Sequence, residues 1–145
     1  MFKHILIATD GSELAERAAA QGIGLAKSIK AKVTVVTVTE PWTALLAGEA
    51  SLAFPVDDYN EAAAANAARI LAATADIAKK QDVSCATVHI KEQFPAEGII
   101  AACKSHGCDL IVMASHGRRG LAKLLLGSQA TKVLTLSTVP VLICR

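Results

Sequence analysis

Leu110-Ile111-Val112-Met113-Ala114, followed by Ser115-His116-Gly117-Arg118-Arg119-Gly120, Leu121 to Leu126 and then Gly127-Ser128, is the stretch on which the fold turns. An apolar run closed by turn residues has the pattern of a strand buried on both faces. Gly127-Ser128 reads as the start of a helix that continues to about Ser137, and Pro140 precedes a second apolar run, Val141 to Cys144. Strand, loop, helix and strand in that order make the parallel unit of α/β proteins.

The same alternation holds toward the N-terminus. Ile5-Leu6-Ile7-Ala8, closed by Thr9-Asp10-Gly11, is another buried strand, and Ser12 is placed to cap a helix from about Glu13 to Ile29. Val33 to Val38 is β-branched almost throughout and stops at Glu40-Pro41, where proline interrupts a ladder. Trp42 to Pro55 reads as a variable loop, after which Asp57 or Asp58 would cap an alanine-rich helix running to about Lys80. Val83 to Ile90 is a strand whose Ser84, Thr87 and His89 suit a sheet edge. Pro95 opens a helix from Ala96 to about Ser105, with Gly107 as its stop. Right-handed crossovers turn this order into a single doubly wound five-stranded parallel sheet, order 3-2-1-4-5, with helices on both faces.

Composition agrees and narrows the function. The 145 residues fit one domain, and 52% hydrophobic with 3% aromatic residues means a core of Ala, Val, Leu and Ile. Fifteen Lys and Arg against 13 Asp and Glu give a net charge of +2, too balanced for the broad positive field of a nucleic-acid binder. The N-terminus lacks the pattern of a signal peptide, and Ala62 to Ala78 is interrupted by Asn66, Arg69 and Asp76, so a cytoplasmic protein with no membrane partner is expected. Cys85, Cys103, Cys108 and Cys144 have no C-x-x-C pairing and read as buried thiols, while His4, His89, His106 and His116 are too scattered for a zinc site.

In such sheets ligands bind beyond the carboxyl ends of the strands, where the winding reverses. The segments after strands one and four are therefore the candidate site. The start of the last helix offers backbone N–H groups and a positive dipole end to an anion, glycine at 117, 120 and 127 permits close approach, and the Ser128 hydroxyl can donate. Arg118, Arg119 and Lys123 add local positive charge. Neither G-x-x-x-x-G-K-[ST] nor G-x-G-x-x-G occurs, so P-loop and ordinary dinucleotide-binding designs are unsupported.

Met113-Ala114-Ser115-His116-Gly117, nine residues, then Gly127-Ser128 resembles the signature of ATP-binding universal stress proteins, with Ala114 standing where the family pattern has glycine. The resemblance spans the chain, from the opening strand ending in Thr-Asp to the closing Pro-Val-Leu-Ile-Cys-Arg. It implies a Rossmann-like domain over residues 1–145, of the adenine nucleotide alpha hydrolase-like type. It also implies a loop of Ala114, Ser115, His116, Gly117, Arg118, Arg119, Gly120, Gly127, Ser128 and Gln129 around ribose and phosphates. Ala8, Thr9, Asp10 and Val38 would enclose adenine, Asp10 could help hold Mg²⁺, and the final strand, 141–145, would pair two copies as a homodimer. The expected function is an adenine-nucleotide (ATP) binding module of stress response with little or no hydrolysis. The alternatives are a ligand-free member acting through protein contacts, or a slow ATPase.

Overall fold

The computed structural model describes residues 1–45, 55–118 and 125–145. Its five strands form one sheet in the order β3-β2-β1-β4-β5, as the sequence predicts. They are β1 (His4–Ala8), β2 (Lys32–Val38), β3 (Cys85–Ile90), β4 (Leu110–Ala114) and β5 (Val141–Cys144), and every pairing is parallel. The helices are α1 (Glu13–Ile29), α2 (Trp42–Leu45), α3 (Val56–Lys80), α4 (Pro95–His106) and α5 (Ser128–Leu136). None of the described helices is long and apolar enough to cross a membrane.

The two-residue period of a strand sorts the core into two layers. Ile5, Ile7, Val33, Val35 and Val112 meet Ala18, Ile23 and Ala26 of α1 and Leu71 and Ala78 of α3. Leu6, Ala8, Val36, Ile111 and Met113 face the other way, onto Ile99 and Ala102 of α4 and Ala130 and Val133 of α5. The central strands β1 and β4 are buried along their whole length, whereas β3 at the edge is largely exposed or half-buried.

Local signals explain most boundaries. The Ser12 hydroxyl accepts from the Ala15 N–H and so caps α1, while Gly107 ends α4 in the left-handed region at φ 64°. Three boundaries differ from expectation. The N-cap position of α3 is Pro55, with no side-chain hydrogen bond, and Asp57 and Asp58 lie in the first turn, where a carboxylate gains from the helix dipole without capping. The third strand begins at Cys85, with Val83 buried in the turn before it. Within the expected variable loop, 42–45 forms one helical turn, and 46–54 lie outside the described residues.

Cys103, Cys108 and Cys144 are buried and Cys85 half-buried, all as free thiols. Burial, with Cys103 and Asp109 nearby, pushes Cys108 up to about 12, so its sulfur stays protonated and inert.

At the opposite end of β1 from the candidate site, the His4 ring is buried, with Nε2 2.7 Å from Thr34 Oγ1. Burial, then the charge of Lys32, holds its pKa below the ordinary 6.5. Below pH 6.5 the unfolded chain therefore binds more protons at this position than the folded chain. His4's contribution to stability is complete above that pH and is lost as pH falls from it toward the lower folded value. The urea midpoint should drop between pH 7.5 and pH 5, and His4→Gln should flatten that interval; an equally steep drop in the variant would assign the loss to other groups.

Candidate functional site

The carboxyl ends of β1, β2 and β4 open into a cavity of about 710 Å³. Ala8, Thr9 and Asp10 enter it from β1 and the turn that follows, and Val36 to Glu40 from the end of β2 and the residues after it. Met113 to Arg118 come from the end of β4 and the loop after it, and Gly127 to Ala130 from the start of α5. Of the expected site residues, Ala8, Thr9, Asp10, Val38, Ala114, Ser115, His116, Gly117, Arg118, Gly127, Ser128 and Gln129 line this one cavity. Arg119 and Gly120 lie outside the described residues.

Asp10 ties the two loops at the switch point together. Its Oδ1 accepts from the Ser12 N–H at 3.0 Å and its Oδ2 from the Arg118 N–H at 2.8 Å. The loop after β4 is thereby latched to the turn after β1, 108 residues away. Gly11 makes that turn possible. It sits at φ 78°, and a Cβ there would lie 2.7 Å from Ile70 Cγ1. Gly117 is required for closeness instead, since its Cβ would stand 2.7 Å from Asp10 Oδ2. Ala114 belongs to β4 and is not among the residues with positive φ, so a methyl group costs nothing at that backbone conformation.

Helices α1, α4 and α5 begin near the cavity, and they differ in what meets their free N–H groups. The first is capped by Ser12. The fourth has the Gln129 Oε1 accepting from Ala96 N–H at 3.0 Å. Gln129 is thus engaged between α4 and α5, a role hidden in a contact across 33 residues of sequence. At α5 the cap is Gly127, with no side-chain hydrogen bond. Its own N–H is taken by the Ser115 carbonyl at 2.7 Å, and a Cβ on it would lie 3.1 Å from the same oxygen. The first turn of α5, with the exposed Ser128, is therefore the open donor surface of the cavity, and it suits an anion of phosphate type. His116 packs beside it, with Nδ1 3.0 Å from Ser115 Oγ and a buried Nε2 that has no hydrogen-bond partner among the described residues.

The wall contributed by α3 was not expected from the sequence. Tyr59, Ala62, Ala63, Asn66, Ala67 and Ile70 line the cavity at spacings of three and four residues, one face of the helix. Tyr59 is pinned by its hydroxyl donating to the Glu40 carbonyl at 2.7 Å. The spacing was visible in the sequence, but alanine at those positions reads equally well as core. Leu126 packs on the α4 and α5 side of the core, whereas Leu125 is 74% exposed. Among the described residues no three His, Cys, Asp or Glu side chains group as a metal site.

Comparison with known proteins gives a consistent result. The model of the universal stress protein family matches residues 1–145. A universal stress protein of Thermus aquaticus is 34% identical over 145 residues, covering 100% of both chains. The universal stress protein UspA from Lactobacillus plantarum superposes with a TM-score of 0.83 at 22% identity, over 99% of this chain and 97% of that one. A universal stress protein in complex with cAMP gives 0.73 at 22% identity, over 99% and 97%. The Archaeoglobus fulgidus protein in complex with dAMP gives 0.68 at 19% identity, over 100% and 98%.

Proposed function

This chain belongs to the universal stress protein family, and on that premise we propose that its cavity takes an adenine nucleotide, ATP with Mg²⁺, and that the protein works in the cytoplasm as a homodimeric stress-response regulator. The observation that carries the reading is the α5 N-terminus. Its cap is Gly127, which has no side-chain hydrogen bond and whose Cβ would lie 3.1 Å from the Ser115 carbonyl, and it opens on the cavity. Two structural neighbours complexed with adenine nucleotides, cAMP and dAMP, support the choice of base.

In this reading phosphates sit against Gly117, Gly127 and Ser128, Arg118 approaches them, and the base lies toward Val38 and α3. Arg119 and Gly120 would complete the loop. Asp10 keeps lone pairs on both oxygens for Mg²⁺ or its waters while holding its two N–H partners. Hydrolysis would be slow at most, because Asp10, the carboxylate that the described residues bring beside Gly117 and Arg118, is committed to holding the loops and to Mg²⁺. The exposed Leu142 of β5, with Leu134 and Leu136 of α5, would be covered by the same strand of a second copy.

Calorimetry of nucleotide-stripped protein with ATP and Mg²⁺, with light scattering on the same sample, tests both halves. Micromolar binding and a dimer mass are expected. Absence of heat would turn the reading to a member acting through protein contacts alone, and a monomer would remove the β5 interface.

A further inference from the structure

The α3 wall holds a side chain able to choose between purines. Asn66 lines the cavity one turn beyond Ala62 and Ala63, on the helix face that also carries Tyr59. Its Oδ1 accepts from Arg69 Nη2 at 2.6 Å. That bond fixes which end of the carboxamide is the oxygen, because a flipped amide would turn its own N–H donors toward the guanidinium donors. One Oδ1 lone pair and the two Nδ2 hydrogens then remain for a ligand.

We propose that Asn66, oriented by Arg69, is the residue that selects a 6-aminopurine over a 6-oxopurine in this cavity. The proposal rests on the nucleotide reading above and deepens it. With phosphates drawn to the α5 N-terminus, the base of the same nucleotide reaches away from it along the cavity, whose lining includes Ala63 and Asn66 of α3 and Val38 at the end of β2. A carboxamide matches the edge of adenine in two bonds: the 6-amino group donates to Oδ1, and Nδ2–H donates to the neighbouring ring nitrogen. In a 6-oxopurine the amino donor is replaced by a carbonyl, which would set two acceptors face to face at Oδ1. Asn66 could relieve that only by flipping, and Arg69 opposes the flip. Arg69 is a positioning residue: it is exposed and acts through the amide.

The test compares the dissociation constants of ATP and inosine triphosphate, which differ at the 6-position, for wild type, Asn66→Ala and Arg69→Met. Wild type should prefer ATP by roughly tenfold to a hundredfold, the range of one good bidentate pair. In Asn66→Ala the preference should collapse to within about threefold, and Arg69→Met should narrow it mainly by improving inosine triphosphate binding. A role in helix stability alone would weaken both ligands equally and leave the ratio untouched. If Asn66→Ala fails to fold, Asn66→Asp retains an acceptor for Arg69 and removes the donor, and should lower the ratio partway. An unchanged ratio in a folded Asn66 variant that still binds ATP overturns the proposal and leaves the nucleotide reading intact. Wild-type protein that binds neither nucleotide overturns both.

Discussion

Gly117→Asp is expected to weaken ATP binding by a hundredfold or more, on the order of 3 kcal/mol, with the fold retained. Two effects combine at this position. Any Cβ would approach Asp10 Oδ2 to 2.7 Å, so even alanine must push the carboxylate away and stretch its 2.8 Å bond to the Arg118 N–H. Aspartate adds a second negative charge where phosphates would lie, and two unit charges about 4 Å apart repel by about 4 kcal/mol at an effective dielectric of 20. Screening at an exposed loop reduces that figure, which is why the smaller loss is taken. Because Gly117 is exposed and outside both core layers, melting temperature and circular dichroism should stay close to wild type. Gly117→Ala separates the two effects and should fall between wild type and Gly117→Asp. Wild-type affinity in the aspartate variant would move the phosphates away from this loop.

The parts of this molecule that could be read from the sequence are those whose signal is local. β1 and β4 announced themselves as short apolar runs because both faces of each are buried, and α1 and α4 because Ser12 and Gly107 perform chemistry that few residues can. The start of α3 could not be read so well. Asp57 and Asp58 favour both the cap and the first turn, and only the extended backbone at Pro55 distinguishes them. The candidate site divides in the same way. Its β1 and β4 components follow from the switch-point rule, and Gly127-Ser128 from the needs of a helix start. The α3 wall, the Asp10 bond to Arg118 and the Gln129 bond to Ala96 depend on which surfaces meet after the chain has closed, across separations that no window of sequence contains.

A second large effect is expected at the centre of the sheet, where Ile7→Ala should destabilise the fold by about 2–5 kcal/mol, a large share of a typical total of about 5–15 kcal/mol. Ile7 is fully buried between Val35 of β2 and Val112 of β4. Above it α1 lies close because residue 22 is glycine: a Cβ there would stand 2.9 Å from Ile7 Cδ1 and 3.2 Å from Val112 Cγ1. Val112 still stands beneath the same glycine when Ile7 is truncated, so the helix cannot readily settle into the space that opens, and the cavity term should be felt in full. The same geometry supplies a rescue. With Ile7 shortened, Gly22→Ala places its methyl group in the vacated space and removes a helix-interior glycine, worth about 1 kcal/mol in propensity alone. In wild type that same methyl would meet Ile7, so Gly22→Ala by itself should be neutral or destabilising, and the two substitutions should be non-additive in the favourable direction. Urea unfolding of the four proteins measures this directly. A double variant no more stable than Ile7→Ala would mean that α1 shifts on truncation, and that the close approach at Gly22 is not what holds the helix against the sheet.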